Sequence, residues 1–131
     1  MDRHGLDSDV RPATDEDRLA VRRLLDAAVL AVERVDERLD AGDVLVAVVD
    51  GRVVGVAVLD PRSDGAHIDA IAVRRRRRGR GVGTALIEYA RTKYGPLTAA
   101  FDADVRSFYE SLGFAIEPIA EESERFEGVL E

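Results

Sequence analysis

Apolar positions along the 131-residue chain change period several times, and each change marks a new element. Val21, Leu24, Leu25, Ala28 and Val32 recur at i, i+3, i+4, i+7 and i+11, which is one stripe of a helix, while Arg22, Arg23 and Asp26 fall off it. Thr14 stands ahead of that stripe as an N-cap, and Asp15, Glu16 and Asp17 load the first turn with the negative charge a helix dipole favours. Before the cap, Val10 and Arg11 read as a short strand ended by Pro12, and a second helical piece over residues 33–39 stops at Gly42. The pattern then shifts to VLVAVVDGRVVGVAVLDP, two β-branched runs around Asp50-Gly51. That is a hairpin signal, because glycine tolerates the positive φ of a tight turn. Pro61 closes the second run.

AHIDAIAV, residues 66–73, predicts a third strand antiparallel to its predecessor. From Gly81 the helical period returns, with Val82, Ala85, Leu86, Tyr89 and Ala90 on its apolar face, and Gly95-Pro96 ends it. Residues 97–101 predict a short buried strand. Asp104 is placed to cap a last helix carrying Val105, Phe108, Tyr109 and Leu112 on one side, with Gly113 as its C′ residue. Residues 114–116 and 125–130 complete the chain as strands. The order β-α-α-β-β-β-α-β-α-β-β belongs to an α+β fold, and no repeat or linker divides it, so residues 1–131 are expected to form one domain.

Composition narrows the function classes. With 46% hydrophobic and 34% charged residues the chain suits a soluble globular domain. Its longest apolar runs are too short to span a bilayer, and the opening MDRHGLDSDV has no apolar core of a secretory signal, so a cytoplasmic protein without membrane partners is expected. The absence of cysteine removes thiolate nucleophiles and cysteine-bearing zinc sites. His4 and His67 are the two imidazoles, with no ligand spacing to support them, and no metal is expected. Arginine outnumbers lysine eighteen to one, Lys93 being the single lysine, in a chain of net charge −7. Such a surface suits either a salt-adapted source or a GC-rich genome.

One stretch runs against the acidic total. VRRRRRGRGVGTAL, residues 73–86, packs six arginines into seven positions. Alone it reads as a solvated or polyanion-binding patch. Its setting changes the reading, because a strand ends at Val73, glycines turn the chain, and a helix starts close behind. Glycines let backbone N–H groups approach a ligand, and a helix start adds unpaired donors and partial positive charge, which together suit a pyrophosphate. The P-loop pattern fails for want of Gly-Lys-Ser/Thr, and the dinucleotide fingerprint fails because Thr84 stands where the third glycine would fall.

What fits is R-x-x-G-x-G, Arg78-Gly79-Arg80-Gly81-Val82-Gly83, directly after HIDAIAV. It resembles the acyl-coenzyme A-binding motif of the GCN5-related N-acetyltransferase (GNAT) family. FYESLGF, residues 108–114, is similar to the closing motif of that family, and the hairpin and element order agree along nearly the whole chain. Two positions depart: Arg75 stands where the family often has proline, and Asp102 where it often has asparagine. The resemblance implies a single-domain acyl-CoA N-acyltransferase fold, with a central mixed, mostly antiparallel sheet flanked by helices. It implies acetyl-CoA as co-substrate, held by Arg78, Gly79, Arg80, Gly81, Val82, Gly83 and Thr84, and by the backbone of Ile71, Ala72 and Val73 where this strand parts from the next parallel one. Surplus guanidiniums among Arg74, Arg75, Arg76, Arg77 and Arg80 could pair with the 3′-phosphate or point into water.

The implied chemistry is acyl transfer to an amine. An alkylamine is almost wholly protonated at neutral pH, so a base must remove a proton. The oxyanion needs a fixed N–H and the leaving thiolate needs a proton. The resemblance makes Tyr109 the general acid, although by period alone it lies on the apolar stripe of its helix. For the base, Asp69 leads, with His67 next and Glu33 and Asp36 weaker. Strict alternation sets Asp69 and His67 on one face with Ile71 and Val73, a parity that a bulge would reset. The expected activity is transfer of acetyl from acetyl-CoA to a primary amine of a small molecule or peptide, by direct attack in a ternary complex. A non-catalytic acyl-CoA sensor of the same fold is the alternative, followed by a nucleic-acid binder using the arginine run, though no nucleic-acid partner is expected. A homodimer is left open by the family.

Overall fold

A computed structural model of the chain describes residues 9–28, 32, 34–120 and 124–131. Seven strands form one sheet in the order β1-β2-β3-β4-β5-β7-β6. They are β1 (Asp9–Pro12), β2 (Val44–Val49), β3 (Arg52–Arg62), β4 (Gly65–Val73), β5 (Leu97–Asp102), β6 (Ala115–Pro118) and β7 (Arg125–Leu130). Four α-helices flank them: α1 (Arg18–Ala27), α2 (Val35–Asp40), α3 (Val82–Tyr94) and α4 (Arg106–Ser111). Every neighbouring pair is antiparallel except β4 and β5, which run parallel. The mixed, mostly antiparallel sheet that the family resemblance implied is present. Among the described residues no helix is long and apolar enough to cross a membrane.

Both faces of the sheet are covered, which is why β2 and β3 read as nearly unbroken apolar runs. Alternation sorts their side chains. Leu45, Ala47 and Val49 join Ala57 and Leu59 beneath α3, while Val44 and Val46 join Val56 and Val58 beneath α1 and α2. The β2–β3 turn is the expected one, with Asp50 at φ 51° and Gly51 at φ 78°. Val21 and Leu25 bring the α1 stripe onto the second face, and Leu86, Ile87 and Ala90 bring α3 onto the first.

Several local expectations need correction. Pro61 does not end β3, which continues to Arg62 and pairs Pro61 with Ala66. Asp104 is not a cap: a 3₁₀ turn over Ala103–Val105 precedes α4, and Asp102 occupies its N-cap. The residue pattern left the partners of the last strand, β7, open. That strand inserts between β5 and β6, pairing Phe101 with Phe126 on one side and Ile116 with Gly128 on the other.

Two irregularities in β4 position the site. The β4–β5 ladder consists of Ala66↔Leu97 and His67↔Thr98, after which both strands run on without pairing to each other. The backbone of β4 toward Val73 is thus released from its neighbour. On the other edge the β3–β4 register moves from Val58↔Ala70 to Leu59↔Ile68, leaving Asp69 as the extra residue of a bulge. The bulge overturns the strict alternation. Ala66, Ile68, Ile71 and Val73 pack on the α3 side, whereas Ala70 and Ala72 lie on the α1–α2 side. His67, between Ala66 and Ile68, therefore does not share the face of Ile71 and Val73.

Candidate functional site

The loop after β4 is held from both ends. Arg74 N–H donates to Val54 O at 2.7 Å, extending the β3–β4 pairing by one bond. Arg75–Arg77 form a 3₁₀ turn, and Arg78 returns to extended backbone with its Nε donating to Val73 O at 3.2 Å. Gly79 and Gly81 then take φ values of 75° and 85°. In the left-handed region an L side chain costs about 1–2 kcal/mol, and a Cβ at either position would meet nothing within 4 Å. Backbone conformation, not space, therefore demands these two glycines. Gly83 is different: a Cβ there would stand 3.3 Å from the Phe108 ring, so its bareness lets α3 lie close to α4.

Gly81 is the N-cap of α3 and offers no side-chain hydrogen bond. The first intrahelical bond runs from Ala85 N–H to Gly81 O at 2.9 Å. The N–H groups of Val82, Gly83 and Thr84 are thus orphan donors, and no acid in the first turn competes for them. With the helix dipole behind them they form a positive, donor-rich end.

A cleft of about 460 Å³ opens over this end. Ile71, Ala72, Val73, Arg78, Gly79, Gly81, Val82, Gly83 and Thr84 all line it; Arg80 does not. The opposite wall comes from Val105, Phe108 and Leu112, with Asp104 and Ser111 at its polar margin. Residue patterning placed Phe108 and Leu112 on an apolar helix stripe, with packing favoured over function for Phe108. Their apolar spacing was visible, but its exposure toward a cleft depends on β4 parting from β5. The cleft can hold an elongated molecule with an anionic group at the α3 end and an apolar body along β4.

Asp69 and Tyr109 lie off the walls of this cleft. The Asp69 carboxylate faces α2, accepting a hydrogen bond from Arg38 Nε at 3.3 Å. The same guanidinium reaches Asp60 at 3.2 Å, and Arg62 donates to Asp60 at 2.8 Å. Those hydrogen bonds from Arg62, opposed by desolvation and aided by Arg38 and His67, hold Asp60 below the usual carboxylate range. His67 Nδ1 lies 2.8 Å from Thr98 Oγ1, across the last registered pair of β4 and β5. Tyr109 is 7% exposed, stacked on Phe101 at 4.1 Å and edge-on to Phe108 and Phe114 at 5.3 Å each. Burial pushes its phenol up to about 12, so it keeps its proton throughout the neutral range.

Of the weaker base candidates, Asp36 is engaged by Arg22 and Arg18 at 2.6 and 2.5 Å, while Glu33 lies outside the described residues, as does His4. Asp102, at the position of the family's asparagine, accepts a hydrogen bond from Arg125 at 2.9 Å. Among the described residues no three histidine or acidic side chains group to hold a metal ion.

Residues 40–116, more than half of the chain, match the model of the acetyltransferase (GNAT) domain, and the chain belongs to that family of acetyl-CoA-dependent N-acetyltransferases. The fold extends the likeness beyond the matched segment. A GNAT-family acetyltransferase from Bacillus cereus superposes with a TM-score of 0.80 at 16% identity, over 95% of this chain and 96% of that one. Ard1 from Thermoplasma volcanium gives 0.71 at 24% identity, over 95% and 99%. N-acetylglutamate synthase from Neisseria gonorrhoeae, in complex with coenzyme A and L-arginine, gives 0.77 at 19% identity over 94% of this chain and 32% of that one. No curated protein sequence matches the chain.

Proposed function

We propose that residues 1–131 form one acetyltransferase domain that moves acetyl from acetyl-CoA to a primary amine of a small molecule or peptide, by direct attack in a ternary complex. One observation carries this reading: the orphan N–H groups of Val82, Gly83 and Thr84 open into the same cleft as the released β4 backbone at Ile71, Ala72 and Val73. The first set suits the pyrophosphate of coenzyme A. The second suits the amide-bearing arm, and one of its N–H groups suits the oxyanion of the tetrahedral intermediate.

Asp69, directly or through water, takes the proton that frees the acceptor nitrogen for attack. The nitrogen bonds to the thioester carbon and becomes cationic, the C–S bond breaks, and Tyr109 gives its proton to the departing thiolate. The surplus proton on nitrogen is lost to water, from which the Tyr109 phenolate regains its own. Bulging turns Asp69 away from the α3 side, which supports a role toward an amine arriving from the α1–α2 side. Burial keeps the Tyr109 phenol protonated at neutral pH, as a proton donor must be. With no cysteine in the chain, a thioester on the enzyme is not invoked.

The test is calorimetric titration of coenzyme A followed by thiol release from acetyl-CoA across a panel of amines and peptides. Saturable coenzyme A binding, with thiol release that depends on one acceptor class, is expected. Folded protein that takes up no coenzyme A would overturn the reading.

A further inference from the structure

The arginine run does not serve one cleft. A 3₁₀ turn sends successive side chains about 120° apart, and the turn Arg75–Arg77 divides its three accordingly. Arg77 lines the cleft described above, Arg75 lines a second cleft against α1, and Arg76 lines neither. This second cleft, of about 560 Å³, gathers Arg74, Arg75 and Arg78 from the loop and Arg23 from α1, against the single carboxylate of Glu16. Its remaining wall is apolar, with Leu19 and Leu24 from α1 facing Val53 and Val73 from the sheet ends. Leu19 is 58% exposed, one of few large apolar side chains so placed.

The local charge of this cleft, four arginines to one carboxylate, runs against the acidic balance of the chain. Acids outnumber bases 26 to 19 in the chain, and Arg11, Arg18, Arg22, Arg38 and Arg62 each hold a carboxylate partner. Arg23, Arg74 and Arg75 have none among the described residues. Neighbouring guanidiniums without counter-charge repel, and a fold that keeps such a conflict commonly does so at a site where a ligand resolves it. The planar fork of arginine matches carboxylate and phosphate oxygens, and the leucine and valine wall suits an apolar body.

We infer that the cleft between α1 and the Arg74-Arg75 segment binds an organic anion, a carboxylate or phosphate on an apolar body, beside the coenzyme cleft and simultaneously with its occupant. The two clefts share Ala28, Val73 and Arg78, so the ligands would be neighbours. The inference does not depend on the acceptor proposed above.

Phenyl phosphate and phenylacetate, titrated calorimetrically into the full chain with and without saturating coenzyme A, test it. At least one probe is expected to bind in both conditions. Arg23→Glu should weaken that binding by about tenfold or more, the loss of one charge-assisted bidentate contact, while leaving coenzyme A affinity within about twofold. Arg75→Ala should weaken the same probe, and circular dichroism should show both variants folded. Failure of both probes to bind, their displacement by coenzyme A, or retention of affinity in Arg23→Glu would overturn the inference. So would an Arg23→Glu variant that loses affinity for coenzyme A but not for 3′-dephospho-coenzyme A, since the cleft would then belong to the 3′-phosphate. Should coenzyme A itself fail to bind, the acetyltransfer proposal falls, and the coenzyme-free titrations still decide this one.

Discussion

The two faces of the sheet are held together differently. Beneath α3 and α4 lies an apolar body that includes every aromatic residue of the chain, among them the Phe101–Tyr109 stack. Beneath α1 and α2 the hydrophobic cluster is all aliphatic, and the helices are laced by ion pairs: Arg18 to Asp15, Asp36 and Asp40, Arg22 to Asp36, and Arg38 to Asp60 and Asp69. Close-packed rings resist displacement, whereas exposed ion pairs are individually weak and exchange partners readily. The contrast fits a division of labour. The aromatic face fixes α3, whose N-terminus must keep its donors aimed, and the ionic face borders the side from which variable acceptors would arrive. Arg38 belongs to the second face and touches the proposed base.

The sharpest break of that comparison removes chemistry without removing structure. Asp69→Asn should lower kcat by about 10²–10⁴-fold, the span for loss of a general base, and leave coenzyme A affinity unchanged because Asp69 does not line that cleft. Unaltered turnover would remove Asp69 from the mechanism. Next in size is Leu86→Ala on the α3 face, where Leu86 is fully buried. It should cost about 2–5 kcal/mol in urea unfolding, and coenzyme A binding should weaken with it as α3 loosens. Undiminished binding at that loss of stability would show that α3 packing does not aim the donors. Third comes Gly81→Val, which forces a β-branched residue to φ 85°. An affinity loss for coenzyme A of about 10–100-fold is expected as the turn relaxes, with a stability loss of no more than about 1–2 kcal/mol.

Elements were legible in the sequence wherever their determinants are local. The Val21-to-Leu25 part of the α1 stripe, the Asp50-Gly51 turn and the positive φ of Gly79 and Gly81 appear where residue chemistry places them, because period and positive φ are properties of neighbours along the chain. The rest of that stripe does not: α1 ends at Ala27, short of Val32, and Asp15–Asp17 form a separate 3₁₀ turn capped by Thr14 instead of the first turn of α1. Features set by distant partners were not legible. The Asp69 bulge exists because β3 and β4 must satisfy both Val58↔Ala70 and Leu59↔Ile68, and nothing within HIDAIAV announces it. Insertion of β7 between β5 and β6 is likewise a choice of partner, invisible to alternation. The division of the arginine run between two clefts depends on a single 3₁₀ turn inside five identical residues. Tyr109 illustrates a third case: its stripe predicts burial, which the fold bears out, while a chemical role for its hydroxyl is a matter for mutation.

The smallest expected effect probes the ionic face at the one buried charged residue among those described. Asp17, in the 3₁₀ turn ahead of α1, accepts hydrogen bonds from Arg11 at 2.7 and 3.2 Å and from Thr14 N–H at 2.8 Å. The Arg11 hydrogen bond lowers its pKa most, against desolvation, with the Thr14 backbone adding to the shift. A carboxyl whose value is depressed on folding contributes stability above its unfolded value of about 3.9, and loses that contribution as pH falls through the folded value. Asp17→Asn should therefore cost about 1 kcal/mol at pH 7, the net worth of a charged hydrogen bond discounted for the half-exposed Arg11. The gap between wild type and variant should close in acid below pH of about 4. Urea unfolding of both proteins from pH 7 to pH 3 measures it. A gap that stays constant across that range would mean that shape at position 17, and not charge, seats α1 on the sheet, and the distinction between an ionic and an aromatic face would lose its best-buried example.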